Sequence, residues 1–224
     1  MADTSFFNLT APALMAHPHL IKAQAFTDSK TGKAKGDPKF GAAFVLDPTH
    51  PDLDPFKKHC FRIFTAAYPS VDLKEVNAWP FKSGTKLADK RKAKCEEKGK
   101  KADGEWQRGK AVIEARSEYR PRLAILEPGR GILDLNDEDA IKAHSGKFYF
   151  GTMALAAFNV VANKIDAGER TNYYVSAYVQ MVLTLNKGER IGGARPAGEV
   201  FRGYVGQMSN EDPTAGSDIG DASW

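Results

Sequence analysis

The sequence predicts a mainly β protein: a five-stranded barrel, closed or half-open, with a helical insertion between the second and third strands and an acidic C-terminal tail. Three observations carry that expectation. Five segments alternate apolar with polar residues, or run continuously apolar, over strand length, and no βαβ rhythm separates them. The one clear helical stripe falls between the second and third of these segments, inside a stretch spanning about residues 47–109. After Arg202 the chain has no Lys or Arg, only Glu211, Asp212, Asp218 and Asp221. With 224 residues, 42% of them hydrophobic and 27% charged, the chain is long enough to enclose one sizeable core.

Residues 1–19 hold Pro12 and Pro18 and read as an extended lead-in. Residues 20–27 alternate: Ile21, Ala23 and Ala25 take one face, and Lys22, Gln24 and Phe26 the other, as in a half-buried strand. A turn-rich loop carrying Lys30, Lys33 and Lys35 leads to a second apolar strand from Phe40 to Leu46, so the pair reads as a hairpin with a basic tip. Asp54-Pro55 is a helix start, with Asp as N-cap and Pro at the first helical position. Leu53, Phe56, Cys60, Ile63, Phe64 and Ala67 supply its core stripe, and Pro69 stops it. Cys60 therefore reads as a buried hydrophobe.

Residues 82–101 hold nine basic and three acidic side chains. The stretch reads as a solvated helix or loop, or, flanked by Trp79, Phe81 and Trp106, as a nucleic-acid contact. Residues 110–120 alternate next. Ala111, Ile113, Ala115, Ser117 and Tyr119 take one face; Lys110, Glu114, Arg116, Glu118 and Arg120 take the other. Pro121 and Arg122 follow, and the acidic stretch Asp134–Asp139 suggests a loop with a short helical turn. Phe148 to Val161 is a nearly continuous apolar run. In 173–185 the odd residues from Tyr173 to Leu185 are expected in the core. Tyr174, Ser176, Tyr178, Gln180 and Thr184 are expected outside, and two outward tyrosines are unusual for an idle surface. The barrel domain is thus expected over 1–206. Residues 207–224 are too small and polar to bury a core and are expected to be disordered.

The charge distribution is informative. The chain carries a formal net charge of +4; residues 203–224 carry −4, which leaves +8 on residues 1–202. A basic body suits a polyanionic partner, and an acidic tail can compete with it. No run approaches the length of a membrane span, and no signal peptide is evident at the start. Two cysteines form no disulfide framework, which suits a cytoplasmic setting, and scattered histidines give a zinc site little support. Phosphate-loop, nucleophile-elbow and zinc-protease motifs are absent. Glu114 and Glu118 are the nearest thing to paired carboxylates, but they are interleaved with Arg116 and Arg120, and cross-strand ion pairing is the simpler reading. No catalytic residue, metal or cofactor is assigned.

Single-stranded nucleic acid is held by a basic groove that follows the backbone and by aromatic faces on which bases stack. The residue types for that chemistry are Lys22, Lys33, Lys35, Lys82, Lys110, Arg116, Arg120 and Arg122 for phosphates. Trp79, Trp106, Tyr119, Tyr149, Tyr174 and Tyr178 supply candidate rings. The alternatives are an RNA- or duplex-binding accessory protein and a metal-dependent nuclease.

Several stretches resemble a known family. They are Trp106, Ile113-Glu114-Ala115-Arg116, Tyr119-Arg120-Pro121, Tyr149-Phe150-Gly151, and Val175-Ser176 through Lys187-Gly188-Glu189-Arg190-Ile191-Gly192-Gly193. Together they resemble phage proteins first described as a domain of unknown function and then recognised as oligonucleotide-binding (OB) fold single-stranded DNA-binding proteins. The resemblance covers about residues 20–205. It implies an OB-fold-like barrel, sequence-independent binding of single-stranded DNA, and service in a phage's replication, recombination or repair within the host cytoplasm. The tail, with Glu211, Asp212, Asp218, Asp221 and a terminal Trp224, resembles that of podophage replication proteins. It implies recruitment of replication or recombination proteins; a homodimer stays open. Individual DNA contacts are not carried over from the family.

Overall fold

The computed structural model describes residues 5–27, 34–99, 104–168 and 170–191. In chain order its elements are β1 (Phe6–Asn8), β2 (Ala13–Thr27), β3 (Ala34–Leu46), α1 (Leu53–Ala67), β4 (Val76–Ala78), β5 (Phe81–Ser83) and α2 (Gly84–Glu96). They continue with β6 (Ala111–Ser117), β7 (Arg122–Glu127), β8 (Gly131–Leu135), α3 (Glu138–His144), β9 (Met153–Ala167) and β10 (Arg170–Thr184). Met1–Glu189 forms one compact unit. Beyond it only 190 and 191 are described, so the acidic tail with Trp224 lies outside the described residues, as does Lys33.

Five long strands pair in a closed circuit. β2 pairs with β3, β3 with β6, β6 with β10, β10 with β9, and β9 returns to β2. These are the five strands expected from alternation, so the OB-like architecture is met, with the insertion carrying α1 and α2 between β3 and β6. The described sheet is larger than the expected barrel, with ten strands. β1 adds to β9, β4 and β7 to β10, β5 to β6, and β8 to β7. The supposed lead-in at 1–19 supplies β1 and the first half of β2.

Alternation decides what faces inward. Met15 opposite Phe44, and Ile113 opposite Phe44 on its other side, are fully buried. Phe158, Val160, Val175 and Val179 join them, and α1 closes the core with Phe56, Cys60 and Phe64. Cys60 has no exposed surface, and burial pushes its thiol up to about 12, so it is inert packing as expected. The outer edge of β3 is set by one glycine. A Cβ on Gly41 would lie 2.6 Å from the Ala115 carbonyl oxygen, so any side chain there would force β3 and β6 apart.

Two local expectations are corrected. Helix α1 starts at Leu53, with Asp52 and not Asp54 at the N-cap position, and Asp52 makes no side-chain cap bond. Its carboxylate instead accepts from Thr10 N at 2.7 Å, Thr10 Oγ1 at 2.6 Å and Ala11 N at 2.9 Å, tying the β1–β2 link to the helix. In β10 the inward set changes parity at a bulge between Val179 and Met181. Val175, Ala177 and Val179 are buried as expected. Beyond the bulge Val182 and Thr184 turn inward while Met181 is exposed and Leu183 half-buried. Thr184 is tolerated there because its hydroxyl bonds Thr152 Oγ1 at 3.1 Å. Tyr119, one of the candidate rings, lies just past the end of β6 at Ser117 and is 82% exposed.

Asp52 also gives the fold a defined acid sensitivity. Burial pushes its carboxyl up, but the Thr10 hydroxyl, the Ala11 and Thr10 N–H groups and His50 together hold it below the usual carboxylate range. A depressed folded pKa contributes stability above the unfolded value, near pH 4, and that contribution is lost as pH falls through the folded value. Asp52→Asn is therefore expected to cost about 1–2 kcal/mol at pH 7. In urea titrations the gap from the wild type should close below about pH 4; a gap independent of pH would refute the assignment.

Candidate nucleic-acid interface

The outward face of β2, β3 and β6 reads in rows set by register. Leu14, Val45 and Val112 form the first, Ala16, Ala43 and Glu114 the second, and His19, Gly41 and Arg116 the third. The first row is covered by Leu87 of α2, Trp106 and Phe150, which pack on it as a small second apolar cluster. Helix α2 is thereby anchored. Ser83 caps it and Ala88 is buried, so the basic stretch is a docked helix with an exposed lysine face. The second row is floored by small residues. In the third row His19 and Arg116 are exposed, and the Arg116 stem lies over Gly41, with its Cγ 3.3 Å from where a Cβ would stand.

The face continues onto β10. Ala177 lies opposite Ala115 with both buried, so the next residues, Tyr178 and Arg116, turn outward side by side on neighbouring strands. Tyr174 and Ser176 share that outward side, facing Asn163 and Val161 across β9. Both tyrosines are half-buried. Although His19 is exposed, partial desolvation of its ring and the Arg116 charge hold it below the usual imidazole range.

Ion pairing separates available cations from occupied ones. Lys82 pairs with Glu114 at 2.5 Å, Lys110 with Asp47 at 3.6 Å, and Lys39 with Glu118 at 3.4 Å. Arg120 pairs with Glu138, donates to the Ile21 carbonyl at 3.0 Å and lies over the Phe40 ring at 5.6 Å. Glu114 and Glu118 are thus held in cross-strand ion pairs, as expected, and their partners are the lysines of β5 and β3. Arg116, Lys22 and Arg122 are exposed and have no carboxylate partner among the described residues.

Comparison with known proteins finds no matching family model and no matching curated protein. Solved structures do match. The single-stranded DNA-binding protein from bacteriophage Enc34 superposes with a TM-score of 0.56 at 15% identity, covering 88% of this chain and 89% of that one. The same protein in complex with ssDNA gives 0.56 at 16%, covering 85% and 91%. The gp2.5 single-stranded DNA binding protein of bacteriophage T7 gives 0.52 at 8%, covering 98% of each chain. The chain has the fold of these phage proteins.

On this fold the sequence-derived candidates divide. Arg116, Tyr174 and Tyr178 are brought together on one face, with Lys22 exposed on β2. Arg122 is outward at the start of β7, opposite Met181 on β10. Lys35 is placed by its backbone alone, opposite Phe26. Trp79 belongs to the packing under α1, stacked on Phe81 at 5.6 Å and edge-on to Phe64 at 5.9 Å. Tyr149 donates its hydroxyl to the Gly188 carbonyl at 2.9 Å and helps hold the segment after β10. Sequence reasoning passed over His19, Gly41, Phe150 and Arg91. An isolated glycine in the Phe40–Leu46 strand was the one available signal, since it marks a close approach.

Among the described residues no group of three or more His, Cys, Asp or Glu stands close enough to hold a metal ion. No described helix is long and apolar enough to cross a membrane.

Proposed function

We propose that this protein binds single-stranded DNA without sequence preference and serves a phage's replication, recombination or repair as a binding protein, not an enzyme. The observation that carries the reading is Arg116. It is an exposed cation with no described carboxylate partner, beside Tyr178 on a fold shared with a protein solved in complex with ssDNA. In this reading Arg116, Lys22 and Arg122 neutralise phosphates, while Tyr174 and Tyr178 offer ring faces to bases. The acidic tail, from Glu211 to Trp224, competes with DNA at low salt and recruits replication or recombination proteins once DNA displaces it. The site of action is the host cytoplasm.

The test is a mobility-shift titration of oligo-dT, a blunt duplex and an RNA of equal length at 50 and 200 mM salt. Oligo-dT is expected to bind tightest, with an affinity that falls as salt rises by about 0.7 log units per phosphate contact and log unit of salt. Equal affinity for duplex and oligo-dT at one salt concentration would overturn the reading, and preference for RNA would redirect it.

A further inference from the structure

We propose that His17, Trp106 and Phe150 form a subsite for one nucleobase of the bound strand, an inference that rests on the reading of the protein as a binder of single-stranded DNA. The three rings stand in mutual contact. Trp106 and Phe150 have centroids 4.9 Å apart at 73°, His17 and Phe150 are 4.7 Å apart at 45°, and His17 and Trp106 are 5.9 Å apart at 67°. All three are half-buried. Trp106 and Phe150 rest on the apolar row of Leu14, Val45 and Val112, and all three rings keep part of their surface in water.

Backbone geometry points the same way. β2 loses its register with β3 between Ala16 and His19, and within that break His17 takes φ 47°. The left-handed region costs a non-glycine residue roughly 1–2 kcal/mol. The proline that follows disfavours helical backbone as well. A plain strand would have continued the ladder through this point. The conformation persists because it turns the imidazole onto Phe150 and Trp106, and strain held in this way clusters at binding sites. Arg91 of α2 donates to His17 Nε2 at 3.0 Å, which fixes the ring's tautomer and brings a guanidinium to the rim. The same helix exposes Lys86, Lys90 and Lys94. A base seated against the rings would therefore have cations on one side to meet its phosphate. On the other side the floor of Ala16 and Ala43 leads to Arg116, about 13 Å further along β6 at strand rise.

The competing role for these rings is to hold α2 down, and a strand without bases separates the two. Wild type and Phe150→Leu are titrated with a short oligo-dT and with an abasic strand of the same length, after thermal melts confirm folding. Loss of a stacking ring is expected to weaken oligo-dT binding about 5- to 100-fold, while binding of the abasic strand changes less than about twofold. Phe150→Tyr, which keeps the ring, should bind oligo-dT like the wild type. Equal losses on both strands, or no loss on oligo-dT, overturn the subsite and leave single-strand binding standing. A wild type that binds neither strand overturns both. If Phe150→Leu does not fold, His17→Gly makes the same comparison, because it deletes a rim ring and fits the left-handed backbone.

Discussion

Phe56→Ala is expected to be the most damaging single substitution in the barrel, costing about 3–5 kcal/mol. Phe56 has no exposed surface, and its ring meets Phe7 of β1 at 5.1 Å, Phe158 of β9 at 5.8 Å and Phe81 of β5 at 6.5 Å. It is where α1, two edge additions and a circuit strand share one contact. Truncation would leave a cavity bounded by aromatic rings on rigid strands, which relax poorly, so the cavity cost adds to the lost transfer energy. For a chain of this size the loss corresponds to a melting temperature lower by roughly 6–20 °C. Phe6→Ala is the control: its ring is 47% exposed on the same β1, and the change is expected to stay within about 0.5 kcal/mol. Denaturant melts that show equal losses for Phe6 and Phe56 would mean that α1 does not close the core as described.

What the sequence made legible, and what it hid, follows from the range of each interaction. The stripe Leu53, Phe56, Cys60 and Phe64 is a local period, and all four residues are buried. The five circuit strands are also local patterns, each long enough to show a period of two or a continuous apolar run. β4 and β5, at three residues each, are too short to show any period, and they exist because neighbouring strands offer them hydrogen bonds. The bulge in β10 is equally invisible: Gln180 fits an alternating strand, and the register shift between Val179 and Met181 shows only in the pairing with β9. At the site, face alternation correctly set Tyr178 outward and Arg116 on the charged face of its strand. It could not tell Arg116 from Arg120, because Glu138 and the Ile21 carbonyl reach Arg120 from 18 and 99 residues away. The same limit hid the lysine partners of Glu114 and Glu118. Trp79 looked like a stacking ring by composition, yet its neighbours are rings of α1 and β5.

Arg116→Glu is expected to weaken oligo-dT binding roughly ten- to a hundredfold at low salt, since a charge-assisted contact is worth about 1.5–3 kcal/mol and the new carboxylate repels phosphate. Stability should move by no more than about 0.5 kcal/mol, because the side chain is exposed and breaks no ion pair. The slope of log affinity against log salt should fall by about 0.7, one single-strand phosphate contact. Arg120→Ala is the matched contrast. It removes the partner of Glu138 and of the Ile21 carbonyl, so stability drops while the salt slope holds. An Arg116 variant with unchanged slope, or an Arg120 variant with a reduced one, would show that the available and occupied arginines have been assigned the wrong way round. His19 gives an independent reading of the same geometry. Its imidazole is held down by partial desolvation and by the Arg116 charge across Gly41, so reversing that charge must raise its pKa. A histidine titration by NMR in the free protein would register that rise before any DNA is added. If the rise is seen without a loss of DNA affinity, Arg116 sits where described but faces something other than a phosphate.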